Sequence, residues 1–252
     1  MSRRCSSALV AMAMFISATG ELRAAALATA ESLLQAADDT RAFEEEGVIR
    51  VRATVEGAGE PAAVSEVEVF VRDGDRALCV FRDGPLAGRR ILMVDEKVWL
   101  LLPGTKRAIP MARDHRLLGG SSIADLARLR FAVEFTAHLR PGSEVIEGVP
   151  CTVLELKARD RRAAYGSGTL WLGAQDRLPR RAILALPSGR PAKEIHFAGY
   201  ERTSGRMLLE RMEVAHLLPS EHGMRTILEF TGHQARALDP DLFDPVRARD
   251  LP

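Results

Sequence analysis

From Ile49 onward this chain alternates apolar and polar residues with a period of two, run after run, between short turns. Ile49, Val51, Ala53 and Val55 alternate with Arg50, Arg52, Thr54 and Glu56; Val67, Val69 and Val71 alternate with Glu66, Glu68, Phe70 and Arg72. Side chains of a strand point to opposite faces in turn, so each run predicts a strand with one wet face. The pattern predicts further strands at 76–82, 90–94, 98–102, 131–139, 149–158, 168–172, 179–186, 194–200, 206–217 and 224–235. Turn chemistry separates them, at Asp73-Gly74, Asp95-Glu96-Lys97, Pro103-Gly104, Pro141-Gly142, Gln175-Asp176, Ser188-Gly189 and Thr203–Gly205. Strands joined by short turns form an antiparallel meander. The fold class is therefore α+β, mainly β.

Helical patterning is confined to three places: Ala28–Phe43, with Thr29 or Ser32 as cap and Leu33, Leu34 and Ala37 on one face; Ser122–Leu129; and Pro240–Phe243. So little helix leaves a wide sheet with an apolar face to cover. Either the sheet closes into a barrel or it curls around the helices and leaves a cavity, and a cavity lined by alternate residues of many strands is an apolar ligand site. Around Trp99 both faces of the strands are apolar: Trp99 and Leu101 point one way, and Val98, Leu100 and Leu102 the other. Such strands have a packed layer on each side or form a cavity wall. The candidate wall residues are Met93, Trp99, Leu101, Leu170 and Leu172.

The first residues have the form of a secretory leader. Arg3 and Arg4 precede the apolar run Ala8–Ala18, which is short for a membrane span, and small residues follow at Ala24, Ala26 and Ala28. The expected boundaries are a cleaved signal peptide over 1–26 and one domain over 29–252, located in the periplasm. Cys5 stands before the apolar run, which excludes it as a lipoprotein attachment site. Losing three arginines and one glutamate takes the formal net charge from +1 to −1. A chain so nearly neutral lacks the positive field that bulk nucleic-acid binding requires. Cys79 and Cys151 remain, either as two buried thiols or as a disulfide.

No catalytic constellation stands out. Ser121 and Ser122 with Asp125 have the spacing of a helix cap, and there is no G-x-S-x-G elbow. The six histidines are scattered without metal-ligand spacing, and His196 and His216 sit on strands, facing either solvent or the interior. Arg89, Arg90, Lys106, Arg107, Arg113 and Arg116 concentrate positive charge, as a solvated rim among Asp95, Glu96 and Asp114 or as membrane-surface contacts. No enzyme, metal or cofactor is expected.

The order of parts between residues 81 and 130 is distinctive: a strand-turn-strand carrying Trp99, then Pro103, Arg107 and a Gly-Ser-rich segment leading to Asp-Leu. With Gly88, Gly119, Ser121, Ser122, Asp125 and Leu126, it resembles the LolA-like outer-membrane lipoprotein-sorting proteins. The resemblance implies a curved, incomplete antiparallel β-barrel of about ten or eleven strands, closed by a few helices around an apolar cavity. It also implies a monomeric periplasmic carrier of lipoprotein or lipid acyl chains, with an inner-membrane transporter as partner. The alternative within the same fold is a sensor or adaptor that binds a membrane partner and carries nothing.

Overall fold

The computed structural model describes residues 30–41, 46–57, 60–73, 75–95, 97–105, 107–111, 116–118, 121–122, 130–160, 163–221 and 223–248. The leader and its cleavage site lie outside these residues, as do Gly119, Asp125 and Leu126. The first described element is a helix over residues 30–39. The strands are β1 (Glu46–Gly57), β2 (Glu60–Arg72), β3 (Arg76–Phe81), β4 (Arg90–Val94), β5 (Lys97–Leu101), β6 (Ile109–Met111), β7 (Arg116–Leu118) and β8 (Ser121–Ser122). A helical turn, Phe131–Glu134, precedes β9 (Phe135–Leu139), β10 (Glu144–Ile146), β11 (Val149–Ala158), β12 (Ser167–Gly173) and β13 (Pro179–Ala185). β14 (Pro191–Thr203), β15 (Arg206–His216) and β16 (Arg225–Ala235) complete the set, with 3-10 turns at Pro219–Glu221 and Pro240–Phe243.

Among the described residues, fourteen strands form one sheet in the order β10-β11-β12-β13-β14-β15-β16-β1-β2-β3-β4-β5-β6, with β9 pairing β11. Every pairing is antiparallel. The sheet is open and curved, the incomplete barrel expected, although its strand count exceeds ten or eleven. Short strands account for the excess. β10, for example, is three residues that pair with Val149–Cys151 just after the Pro141-Gly142 break.

The two faces of the sheet differ sharply. On the inner face, alternate residues of nearly every strand join one buried cluster, and the helix lays Ala30, Leu33, Leu34 and Ala37 against it. These positions recur at three- and four-residue spacing, so they form one helical stripe. The outer face of β14–β16 and β1–β3 is a lattice of ion pairs, including Arg52–Glu66 at 2.7 Å, Arg82–Glu68 at 2.7 Å and Arg225–Glu56 at 2.8 Å. Exposed pairs of this kind contribute little stability, at most about 1 kcal/mol each; their effect is to keep the face wet.

Strands β3–β5 are dry on both sides, and the structure supplies a layer on each. Beyond β16 the chain crosses the outer face and packs Leu238, Phe243 and Ala248 onto Val48, Phe70, Leu78, Val80, Leu92 and Leu101, with Trp99 against the same cluster. Arg90 donates to the Ala248 carbonyl at 2.6 Å, and the Asp239 carboxylate accepts from the Asp241 amide at 2.9 Å, capping the expected helical turn at Pro240.

Two expectations are corrected. Residues 131–134 are helical rather than the start of a strand. The Asp38 carboxylate accepts from the amides of Phe131 and Ala132 at 2.8 and 2.9 Å, so a cap from a residue far back in sequence overrides the local β pattern. Ser121 and Ser122 do not start a helix but pair with Arg116–Leu118 in a two-stranded ladder; the rest of the expected helix, 123–129, lies outside the described residues. The β2–β3 and β4–β5 turns place Asp73 and Asp95 at φ of 52°. Gly74 of the expected Asp73-Gly74 turn is outside the described residues.

Asp95 closes a two-residue loop, with Val94 opposite Lys97. A β-branched residue is strained at positive φ, so Asp95→Val should cost about 1 kcal/mol or more while Asp95→Gly should be neutral or stabilising. Urea midpoints of the two variants decide it; equal midpoints would remove the strain argument. For the C-terminal strap, Phe243→Ala should cost about 3 kcal/mol and shift Trp99 emission to the red in a Trp171→Phe background. Unchanged emission would mean that the strap does not cover Trp99.

Candidate ligand-binding face

The strand register decides which candidate residues share a face. The two-residue loop pairs Met93 with Val98 and Leu92 with Trp99. Met93 therefore lies on Val98's side, in the inner cluster, together with Leu170 and Leu172 of β12. Trp99 and Leu101 lie on the other side, beneath the C-terminal strap. The five expected wall residues are thus split between two layers, three inside and two outside. Trp171 also faces outward, in a small cluster with Cys151 and Val153. Its indole N–H donates to Glu144 at 2.7 Å and the Arg181 guanidinium lies over its ring.

Cys79 is in the inner cluster and Cys151 in that outer cluster. Both are free thiols, so the disulfide alternative is not realised. Burial pushes the Cys79 thiol up to about 12, and it raises that of Cys151 as well. Thiols held protonated in this way are poor nucleophiles.

The resemblance residues that are described are partly brought together. Gly88, at φ of 78°, ends the turn after β3, and its amide donates to the Phe81 carbonyl at 2.9 Å. A Cβ there would stand 2.9 Å from Pro103, so the turn after β3 and the turn after β5 need glycine where they meet. Trp99 is on β5, and Arg107 is an exposed residue in the bend before β6. Ser121 and Ser122 sit apart in the β7–β8 ladder.

The inner face is fastened at the helix C-terminus. Asp38 accepts from Arg41 at 3.1 Å as well as from the two amides of the helical turn. Burial raises its pKa, against the opposing pull of Arg41 and those amides. The Arg41 guanidinium lies over the Phe131 ring, 5.5 Å from its centroid. At the same end, the Leu209 amide of β15 donates to the Thr40 carbonyl at 2.8 Å. β15 and β16 pair only from Arg211–Glu229 to Ala215–Arg225, while β16 continues beside β1 as far as Ala235. Where they part, an open groove of about 630 Å³ is lined by polar residues including Glu201, Glu210, Arg211 and His233. Burial lowers the His233 pKa, so the imidazole there is neutral at pH 7.

The inner face carries one polar group of residues that sequence reasoning did not assemble. Lys193, His216, Glu221 and Thr226 are all buried, at 5%, 3%, 5% and 0% exposure. Strand alternation was the available signal: Lys193 is in phase with Ile195, His216 with Val214, and Thr226 with Leu228, and those three partners belong to the inner cluster. His196, one position out of phase, faces outward to Glu194 at 3.1 Å. Among the described residues no group of three or more His, Cys, Asp or Glu side chains is placed to hold a metal ion, and no helix is long and apolar enough to cross a membrane.

Comparison with known proteins agrees with this architecture. A LolA superfamily protein from Nitrosomonas europaea superposes with a TM-score of 0.76 at 23% identity, covering 85% of this chain and 96% of that one. A putative outer membrane lipoprotein-sorting protein domain from Vibrio parahaemolyticus gives 0.72 at 16% identity, covering 86% and 97%. A DUF1329 family protein from Desulfovibrio piger gives 0.73 at 18% identity, covering 87% and 97%. No protein of curated function matches the sequence. Residues 73–247 match a family described as "Uncharacterized protein". The chain belongs to that family, and its fold is that of the LolA-like lipoprotein-sorting proteins.

Proposed function

We propose that this protein is a periplasmic carrier that holds acyl chains of lipoproteins or lipids against the inner face of its sheet. The observation that supports the reading is the extent of that face, one apolar cluster to which nearly every strand of the large sheet contributes. Thirteen strands in series span an arc of about 60 Å at the usual strand spacing. An inner face that is apolar along most of this arc is suited to a flexible apolar guest that inserts beside or beneath the helix. On this reading the leader over 1–26 is cleaved, the domain over 29–252 works as a monomer, and the cargo passes to the outer membrane or to a transporter.

The adaptor reading has an observation of its own. Leu170, Leu172 and Met93 are closely buried, at 0%, 0% and 1% exposure. A core that never opens would leave only the outer surface for a partner.

A dansyl-labelled fatty acid separates the two. The carrier reading expects binding on the order of micromolar affinity, since methylenes gain about 0.8 kcal/mol each at best and ordering costs oppose them. With an unlabelled fatty acid the Trp99 and Trp171 emission maxima should stay unchanged, because both rings face away from the inner cluster. Ala182→Phe, which adds bulk to the inner face, should weaken binding at least about tenfold for a stability cost of about 1–3 kcal/mol. Absence of binding by any acyl ligand would leave the adaptor reading.

A further inference from the structure

The buried polar group at one end of the inner face has the composition of a head-group site. The register sets Lys193 of β14 directly opposite His216 of β15. Thr226 of β16 pairs with Val214, one inner-face position from His216. Three neighbouring strands thus bring an ammonium, an imidazole and a hydroxyl to one spot on an otherwise apolar surface. Glu221 completes it from the 3-10 turn after β15, its carboxylate 3.1 Å from His216 Nδ1, with both side chains almost wholly buried.

Two features separate this arrangement from an ordinary buried ion pair. The first is the origin of the carboxylate. Lys193, His216 and Thr226 are fixed by sheet hydrogen bonds, whereas Glu221 ends a three-residue turn held by short-range bonds, from its own amide to Leu218 and from the Met224 amide back to Glu221. Leu217, Pro219 and Ser220 of this connection are exposed. Glu221 can therefore swing outward without breaking the ladder. The second is Thr226. Its Oγ1 is fully buried and has no hydrogen-bond partner among the described residues. A hydroxyl in that state is destabilising, and one more acceptor at this spot would relieve it.

We propose that Lys193, His216 and Thr226 form an anion site for the carboxylate of a free fatty acid, and that Glu221 is an internal carboxylate which the ligand replaces. The inference rests on the carrier reading and adds the class of ligand to it: a single acyl chain ending in a carboxylate. The incoming carboxylate keeps the charge balance of the site, because one carboxylate leaves His216 as another arrives. It also supplies the acceptor that Thr226 lacks, and the chain behind it lies along the apolar face.

Calorimetric titrations with palmitate and with hexadecanol, which share the sixteen-carbon chain and differ in the head, test it. Wild type should prefer palmitate by about tenfold or more, the scale of a hydrogen bond to a charged group. Thr226→Val and Lys193→Met should each bring the ratio toward one, and Glu221→Gln should raise it by removing the competing carboxylate. Thr226→Val removes only an unpartnered hydroxyl, so it should fold at least as well as wild type and keeps the test open should Lys193→Met fail to fold. Equal affinity for the two ligands in wild type, or a ratio unmoved by Thr226→Val, overturns the head-group site while leaving the carrier reading intact. Binding of neither ligand overturns both.

Discussion

Much of this fold depends on a single carboxylate. Asp38 sits at the end of the helix and accepts hydrogen bonds from Arg41 and from the amides of Phe131 and Ala132. It thereby ties the only described α-helix of the N-terminal region to the turn that leads into β9, and it gives that turn its helical form. Burial opposes the charge on Asp38 and the guanidinium and amides favour it. Hydrogen bonds to charged groups contribute about 1.5–3 kcal/mol apiece, so the carboxylate is held where its partners are. Phe131 follows it into the core and stacks edge-on to Phe197 of β14 at 6.4 Å. The helix is thus docked at its C-terminal end, through a contact that also fixes one side of the sheet.

A second dependence runs through the outer face. Over most of its width that face is covered by ion pairs and needs no protein layer. Under the C-terminal strap it is apolar, and there the strap buries Phe70, Leu78, Leu92 and Leu101. Strands β3–β5 consequently have packed side chains above and below, like the central strands of a sandwich. Their rigidity does not depend on the inner face being filled. Under the proposed carrier reading such a division has a use, because the wall would keep its shape whether the inner face meets helix or ligand.

The sequence was readable where local chemistry decides the outcome. Alternation located most of the strands, Asp95-Glu96-Lys97 marked a hairpin, and Trp99 and Leu101 were placed together opposite Val98 and Leu100. Apolarity alone could not say which of those sides was interior, since both are apolar. The register could: a two-residue loop sets Met93 against Val98, which separates it from Trp99. Placing Lys97 in the turn obscured this. Residues 131–134 were illegible for a different reason, because their cap is 93 positions away in sequence. The buried group of Lys193, His216, Glu221 and Thr226 combines three strands and a turn, and only the pairing of β14, β15 and β16 brings its members together.

Under the carrier reading proposed above, the helix is the natural competitor of the cargo. Its inner stripe is Ala30, Leu33, Leu34 and Ala37. Fully burying a leucine is worth about 1.5–3 kcal/mol and an alanine methyl about 0.8, so lifting the stripe costs roughly 5–8 kcal/mol before the Asp38 contacts are counted. A sixteen-carbon chain offers about 11 kcal/mol of burial at most, less the ordering costs of a flexible chain. The two sums are close. On that reading the helix would yield to a whole acyl chain but not to a short apolar fragment, and with Asp38 still bonded to Phe131 and Ala132 it would swing about its C-terminal end rather than detach. On the same reading this near-balance would permit release, because a helix that recovers its own contacts on closing helps to expel the chain it displaced.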